Sequence, residues 1–183
     1  MKLNHIFTSD QKLEWWGHGE WVEEPDEATF WSHGYRCHVL RIVHATNEAL
    51  ESTPASPPHG GYLCGYVLIP KEHPWHGKGY DDMPCNVHGR ITYAEFNDKQ
   101  EFWIGFDCAH AYDLNPSTPA FRAWHEAYNP AMKDHYERMD YLRAQFENED
   151  LLNPPYRNFT YAMGQCRKIA RQAKAALKSK VTP

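Results

Sequence analysis

The sequence predicts an α+β protein: an antiparallel sheet of about four strands covered by C-terminal helices. Three observations point there. Residues 62–69 and 102–107 alternate their side chains at the period of two that marks half-buried strands. Residues 86–95 repeat that pattern, with Val87, Ile91 and Tyr93 on one side and His88, Arg90 and Thr92 on the other. Toward the C-terminus the period changes to that of a helix. Met132, Tyr136, Met139, Leu142 and Phe146, then Phe159, Met163, Cys166, Ala170, Ala173 and Leu177, recur every three or four residues. Residues 1–183 are expected to form one domain.

Along the chain, residues 11–31 place Trp15, Trp16, Trp21 and Trp31 among acids and glycines without a clear period. These tryptophans either cover a core or line a ligand groove. Residues 35–44 form the first expected strand, with Cys37, Val39 and Arg41 on one face and His38, Leu40 and Ile42 on the other. Residues 45–60, rich in Ser, Thr and Pro, are expected to be a mobile loop. The second strand covers 61–69 and stops at Pro70. A loop over 71–84 then carries His73, His76, Asp81 and Asp82, which either complete a site or cap turns. Strands three and four cover 86–95 and 101–108. After a loop at 115–119, helices are expected over 120–128, 131–149 and from an N-cap at Asn158 onward, so that 131–180 is mainly helical. The last helix carries Arg167, Lys168, Arg171, Lys174, Lys178 and Lys180 on its polar face, for solvent or for an anionic partner.

The chemistry concentrates in residues 86–113. A turn centred on Asn97 and Asp98 would pair Tyr93 with Phe102, Ile91 with Ile104 and His88 with Asp107. In that register the His88 and Asp107 Cβ atoms lie roughly 4.5–5.5 Å apart. Asp107, His110 and Asp113 follow at three-residue spacing, which collects them on one side of a helical turn. Two imidazoles and two carboxylates form a donor set for a divalent metal, zinc or manganese, or for proton transfer without one. The expected metal ligands are His88, Asp107, His110 and Asp113. The expected catalytic residues are Asp107, His110 and Arg90, with Arg90 stabilising an anionic group such as phosphate.

Composition bounds the alternatives. The net charge of −5 and a pI near 6.2 argue against a generally basic nucleic-acid binder. No apolar run is long enough to span a membrane, and residues 1–10 lack the apolar core of a signal peptide, so a soluble intracellular protein is expected. Cys37, Cys64, Cys85, Cys108 and Cys166 are odd in number and form no CxxC, which favours reduced, buried thiols. Cys108 faces the apolar side of its strand, against a nucleophilic role. The phosphate-loop, dinucleotide, HExxH and zinc-deaminase signatures are all missing from the sequence. Exposed aromatics and a basic helix face leave room for a homodimer.

The blocks GYLCGYVLIPKEHPWHGKGYDD, NVHGRITY, FWIGFDCAHAYD and YRNFTYAMGQCRKIARQ resemble a family of uncharacterised proteins encoded by tailed phages and prophages. The likeness covers residues 60–173 in separated blocks and departs from the family at Arg90 and Tyr112, where members carry Gly. It brings no activity with it. It implies action in the cytoplasm of an infected bacterium, where interference with host or defence chemistry stands beside metabolism. Three readings follow: a metal-dependent hydrolase acting on a phosphate-containing or nucleotide-like substrate, a non-enzymatic protein that binds a host or defence protein or sequesters a nucleotide signal, and a structural polar network.

Overall fold

The structure, a computed structural model, describes residues 1–44, 55–129, 131–145 and 153–178. Strands β1 (Lys2–Asn4), β2 (Glu27–Ser32), β3 (Tyr35–His44), β4 (His59–Ile69), β5 (Tyr93–Phe96) and β6 (Phe102–Asp107) form one antiparallel sheet in the order β1-β2-β3-β4-β6-β5. The helices are α1 (Ser9–Trp16), α2 (Ser117–Tyr128), α3 (Ala131–Ala144) and α4 (Phe159–Lys178). The class is α+β as expected, but the sheet has six strands rather than about four. Both additional strands come from the first 32 residues, β1 from before the tryptophan-rich segment and β2 from its end. In β2, Ala28 and Phe30 are buried while Trp31 is 71% exposed, so its alternation was concealed by an outward-facing aromatic. Ser32 pairs with Tyr35 across His33 and Gly34, both at positive φ, the backbone twist that a two-residue hairpin loop requires.

Among the described helices α4 supplies most of the cover on the sheet, and α2 touches it at β4. α4 buries Phe159, Ala162, Met163, Cys166, Ile169, Ala170 and Ala173 against β2, β3 and β4, whereas Leu177 from the expected stripe is 42% exposed. Gly65 makes the close approach possible: a Cβ there would overlap the Phe106 ring and the Cys166 sulfur. Asn158 Oδ1 accepts from Tyr161 N at 2.9 Å, the N-cap that the sequence anticipated. The basic face of α4 is partly used within the protein, since Lys168 Nζ donates to Asn86 Oδ1 and Arg167 lies 5.3 Å over the Phe30 ring. Helix α3 packs on α2 instead, joined to it by Arg122–Asp140 and His125–Tyr136 contacts at 2.7 Å. The ends of two expected helices, residues 146–149 and 179–180, lie outside the described residues. So does 45–54 of the expected loop, while Ser56 and Pro58 are buried and His59 begins β4.

The hairpin register differs from the expected one. Tyr93 faces Gly105, Ala94 faces Ile104 and Phe96 faces Phe102. The turn is centred on Lys99, with Gln100 at φ 60° and Asn97 Oδ1 accepting from Lys99 N and Glu101 N. This three-residue slip is odd, so it reverses which side chains share a face. Tyr93 turns to the uncovered face. Residues 86–92 are not strand at all, and Ile91 reaches the core from a loop. His88 therefore does not oppose Asp107; Cys64 does.

A buried ionic network anchors the N-terminal segment. Asp26 Oδ1 accepts from Arg41 Nε at 2.8 Å and Lys12 Nζ at 3.3 Å, while Oδ2 accepts from the backbone N–H groups of Ile6 and Phe7. Arg41 also donates to Gly61 O, Tyr156 Oη and Glu24 Oε2. Glu24 in turn accepts from Tyr156 Oη at 2.7 Å and Phe159 N at 2.8 Å. The network thus holds both sides of Arg157, at the start of α4.

Candidate functional site

His88 sits in a tight turn at which Arg90 N donates to Val87 O, and two residues at positive φ, Gly89 at 62° and Arg90 at 75°, reverse the chain. Buried Val87 and Ile91 pin this turn to the core. Polar groups of α4 then hold it in register. His88 N donates to Gln165 Oε1, Asn86 N donates to Gln172 Oε1, and Gln172 Nε2 returns a bond to Asn86 O. On the other side, Asp107 ends β6 with Oδ1 accepting from Ala109 N, and Asp113 N donates to His110 O. The three-residue spacing recognised in the sequence is realised as these successive turns.

The side chains of His88, His110 and Asp113 converge, with one donor atom from each lying within 4.8 Å of the others. Asp113 is the hub. Its Oδ2 lies 2.8 Å from His88 Nε2 and 3.2 Å from His110 Nδ1 and accepts from His110 N at 3.1 Å; its Oδ1 accepts from Arg157 Nε at 2.8 Å. Burial works to raise the Asp113 carboxyl, but the hydrogen bonds from His88 and Arg157 outweigh it and hold its pKa below the ordinary value. His88 Nδ1 lies 3.0 Å from the Tyr161 hydroxyl, and the His110 ring stacks on Tyr112 at 5.2 Å. The side chains of Asp113 and His88 are 0% and 5% exposed and that of His110 21%, so solvent reaches the group through His110.

Two expected members stand elsewhere. Asp107 Oδ1 is 3.7 Å from His110 Nδ1, but its other oxygen accepts from Thr92 Oγ1, and it neighbours the three-residue group rather than joining it. Arg90 is exposed and lines a cavity of about 450 Å³ with Tyr80, Cys85 and Asn86, whose walls contain none of the three. Arg157 is the guanidinium at the cluster. It and Tyr161 escaped the sequence reading because they lie 44 and 73 residues from their partners. The available signal was the spacing of Tyr161, Gln165, Lys168 and Gln172, a polar stripe at helical spacing beside the apolar one.

The remaining candidates have structural partners. His73 is buried, accepts from Trp75 N and lies 2.9 Å from Ala173 O, while His76 Nδ1 lies 3.0 Å from Ile69 O. Asp82 N closes a turn onto Gly79 O. Cys108 is buried and burial pushes its thiol up, away from nucleophilic character. Trp16 and Trp21 are buried, and Trp16 Nε1 donates to Pro58 O.

Gly89 is required by the site. Its φ of 62° favours glycine, and a Cβ would overlap the His110 imidazole. Gly89→Ala should displace His110 while the sheet persists, visible by NMR as shifted His110 ring resonances with the core methyl signals of Val67 and Ile104 in place.

The fold and this group define an α+β protein with a six-stranded antiparallel sheet and a buried aspartate flanked by two histidines and an arginine. Comparisons of the chain with protein families, with curated proteins and with solved structures found no match. No described helix is long and apolar enough to cross a membrane.

Proposed function

We propose that this is a phage-encoded, metal-dependent hydrolase of the infected bacterium's cytoplasm, acting on a phosphate-containing or nucleotide-like substrate with His88, His110 and Asp113 as its metal ligands. The observation that carries the proposal is the approach of two imidazole nitrogens and one carboxylate oxygen within 4.8 Å. Those donors suit zinc or manganese. Their outer atoms are already engaged: the Tyr161 hydroxyl meets His88 Nδ1 and Arg157 holds Asp113 Oδ1, the kind of outer partners that orient metal ligands. With the His88 proton on Nδ1, donating to Tyr161 Oη, Nε2 is free to bind a cation. When bound, the cation supplies Lewis-acid activation of water. Asp107, the second carboxylate beside His110, would be the general base for that water.

The competing reading is a binding protein that inhibits a host or defence protein or sequesters a nucleotide. It is favoured by the four donor contacts that satisfy Asp113 without a cation, with the His88 proton then on Nε2. Elemental analysis of protein purified without an affinity tag separates the two. Near-stoichiometric zinc or manganese that falls at least about tenfold in His110→Ala, and is largely kept in Asp107→Asn while phosphoesterase turnover is lost, supports the hydrolase. Metal-free parent protein whose affinity for added zinc and manganese is unchanged in His110→Ala overturns it.

A further inference from the structure

The sheet has a second face, and no described helix packs on it. Cross-strand partners set out two neighbouring rungs on this face: Trp31, Arg36, Leu68, Trp103 and Glu95, then Thr29, His38, Tyr66, Gly105 and Tyr93. A buried sheet face would carry aliphatic residues here; these rungs instead combine flat rings with cations. Gly105 leaves a bare stretch of backbone on which the Tyr66 ring lies, with Tyr93 edge-on to Tyr66 at 5.3 Å. Arg36 lies 5.5 Å over the Trp103 ring.

Two cavities of about 280 and 420 Å³ open along this face and the adjoining end of the sheet, and both are lined by Arg36 and Glu101. The smaller also has Tyr66, Tyr93, Trp103 and Lys99 in its walls. Arg36 is held only loosely by Glu101, whose Oε1 lies 3.9 Å from it, while Glu101 Oε2 accepts from Asn97 Nδ2 at 2.9 Å. The Arg36 fork can therefore turn to an incoming anion with little loss.

We propose that this groove binds a free nucleoside monophosphate, its base stacked among Trp103, Tyr66 and Tyr93 and its phosphate held by Arg36 and Lys99. Aromatic faces accept any base, and a guanidinium beside them matches a phosphate. A free nucleotide is favoured over a nucleic-acid strand because the net charge of −5, with Glu95 and Glu101 beside the groove, opposes an extended polyanion. The third rung of the same face ends at Asp107, next to His110, so the groove and the metal-ligand group share this face at different points along β6. The inference deepens the hydrolase reading by giving its nucleotide-like substrate a place. It rests on that reading for turnover and not for binding.

Calorimetric titration of the intact protein with AMP, GMP, CMP and UMP, in the presence of a chelator, tests the groove without the cluster's chemistry. At least one nucleotide should bind with a Kd below roughly 1 mM. Trp103→Ala and Arg36→Ala should each weaken it about tenfold or more. Trp103→Phe should retain most of the affinity, which distinguishes a lost ring from a damaged fold, and His110→Ala should bind as the parent does. No binding at that level by any of the four overturns the groove; so do inorganic phosphate binding as tightly as the nucleotide, affinity indifferent to Trp103 and Arg36, and a thymidine octamer binding far more tightly. Nucleotide binding that survives in a protein with no metal and no turnover keeps the groove and removes the hydrolase. Turnover that is unchanged by Trp103→Ala and Arg36→Ala keeps the hydrolase and removes the groove as its substrate site.

Discussion

Asp26→Ala should cost about 3–5 kcal/mol of folding stability, the loss expected when one member of a buried ion pair is removed and its partners stay behind. Asp26 and Lys12 are fully buried and Arg41 is 3% exposed. Burial already lowers the Lys12 pKa, so Lys12 can shed its proton once Asp26 is gone. Arg41 has no such escape and must keep its charge in the core. Two backbone N–H groups, of Ile6 and Phe7, lose their acceptor as well. Urea denaturation followed by circular dichroism measures the effect. The half-buried Arg122–Glu126 pair on the surface of α2 is the comparison: Glu126→Ala should cost no more than about 0.5 kcal/mol. Because Glu24 and Tyr156 tie the same network to the start of α4, Asp26→Ala should also loosen Arg157 and weaken the site. A variant as stable as the parent would show that the network adds nothing to the fold.

Asp113→Asn should remove more from the site than any other single substitution. It takes away the carboxylate that meets His88, His110 and Arg157 together and leaves Arg157 facing a neutral amide. At the proposed metal site, affinity for zinc or manganese should fall about a hundredfold or more, because one of its three proposed ligands is lost and its outer partners are misaligned. Stability should fall by about 3 kcal/mol, since Asp113 is buried and its partners are not replaced. The pH dependence has a definite sign. The folded Asp113 pKa lies below its ordinary value of 3.8, so its contribution is fully present above that value and is lost as pH falls through the lower, folded one. Asp113→Asn should therefore lose part of the parent's destabilisation in acid below about pH 4, while remaining less stable at pH 7. Stability curves for both proteins between roughly pH 2 and 7 decide it; parallel curves would show that Asp113 carries no such linkage.

The amino-acid pattern alone determined most of the element inventory. The alternation in 35–44, 61–69 and 102–107 and the apolar stripe from Phe159 produced β3, β4, β6 and α4, because burial on one face imposes a period that is local and visible in the chain. The Asp107, His110 and Asp113 spacing likewise located one half of the polar group. The structure decided what depends on chain reversal. Gln100, Gly89 and Arg90 at positive φ set a register and a turn that hydrophobic alternation does not encode, moving His88 off the strand and Tyr93 to the uncovered face. It also decided which distant residues meet, bringing Arg157 to Asp113 and Tyr161 to His88 in place of the expected Arg90 and Asp107. Periodicity records which side of an element is buried; which polar groups become neighbours follows only once the elements are docked, because a hydrogen bond depends on the final position of two atoms and on nothing their sequence separation preserves.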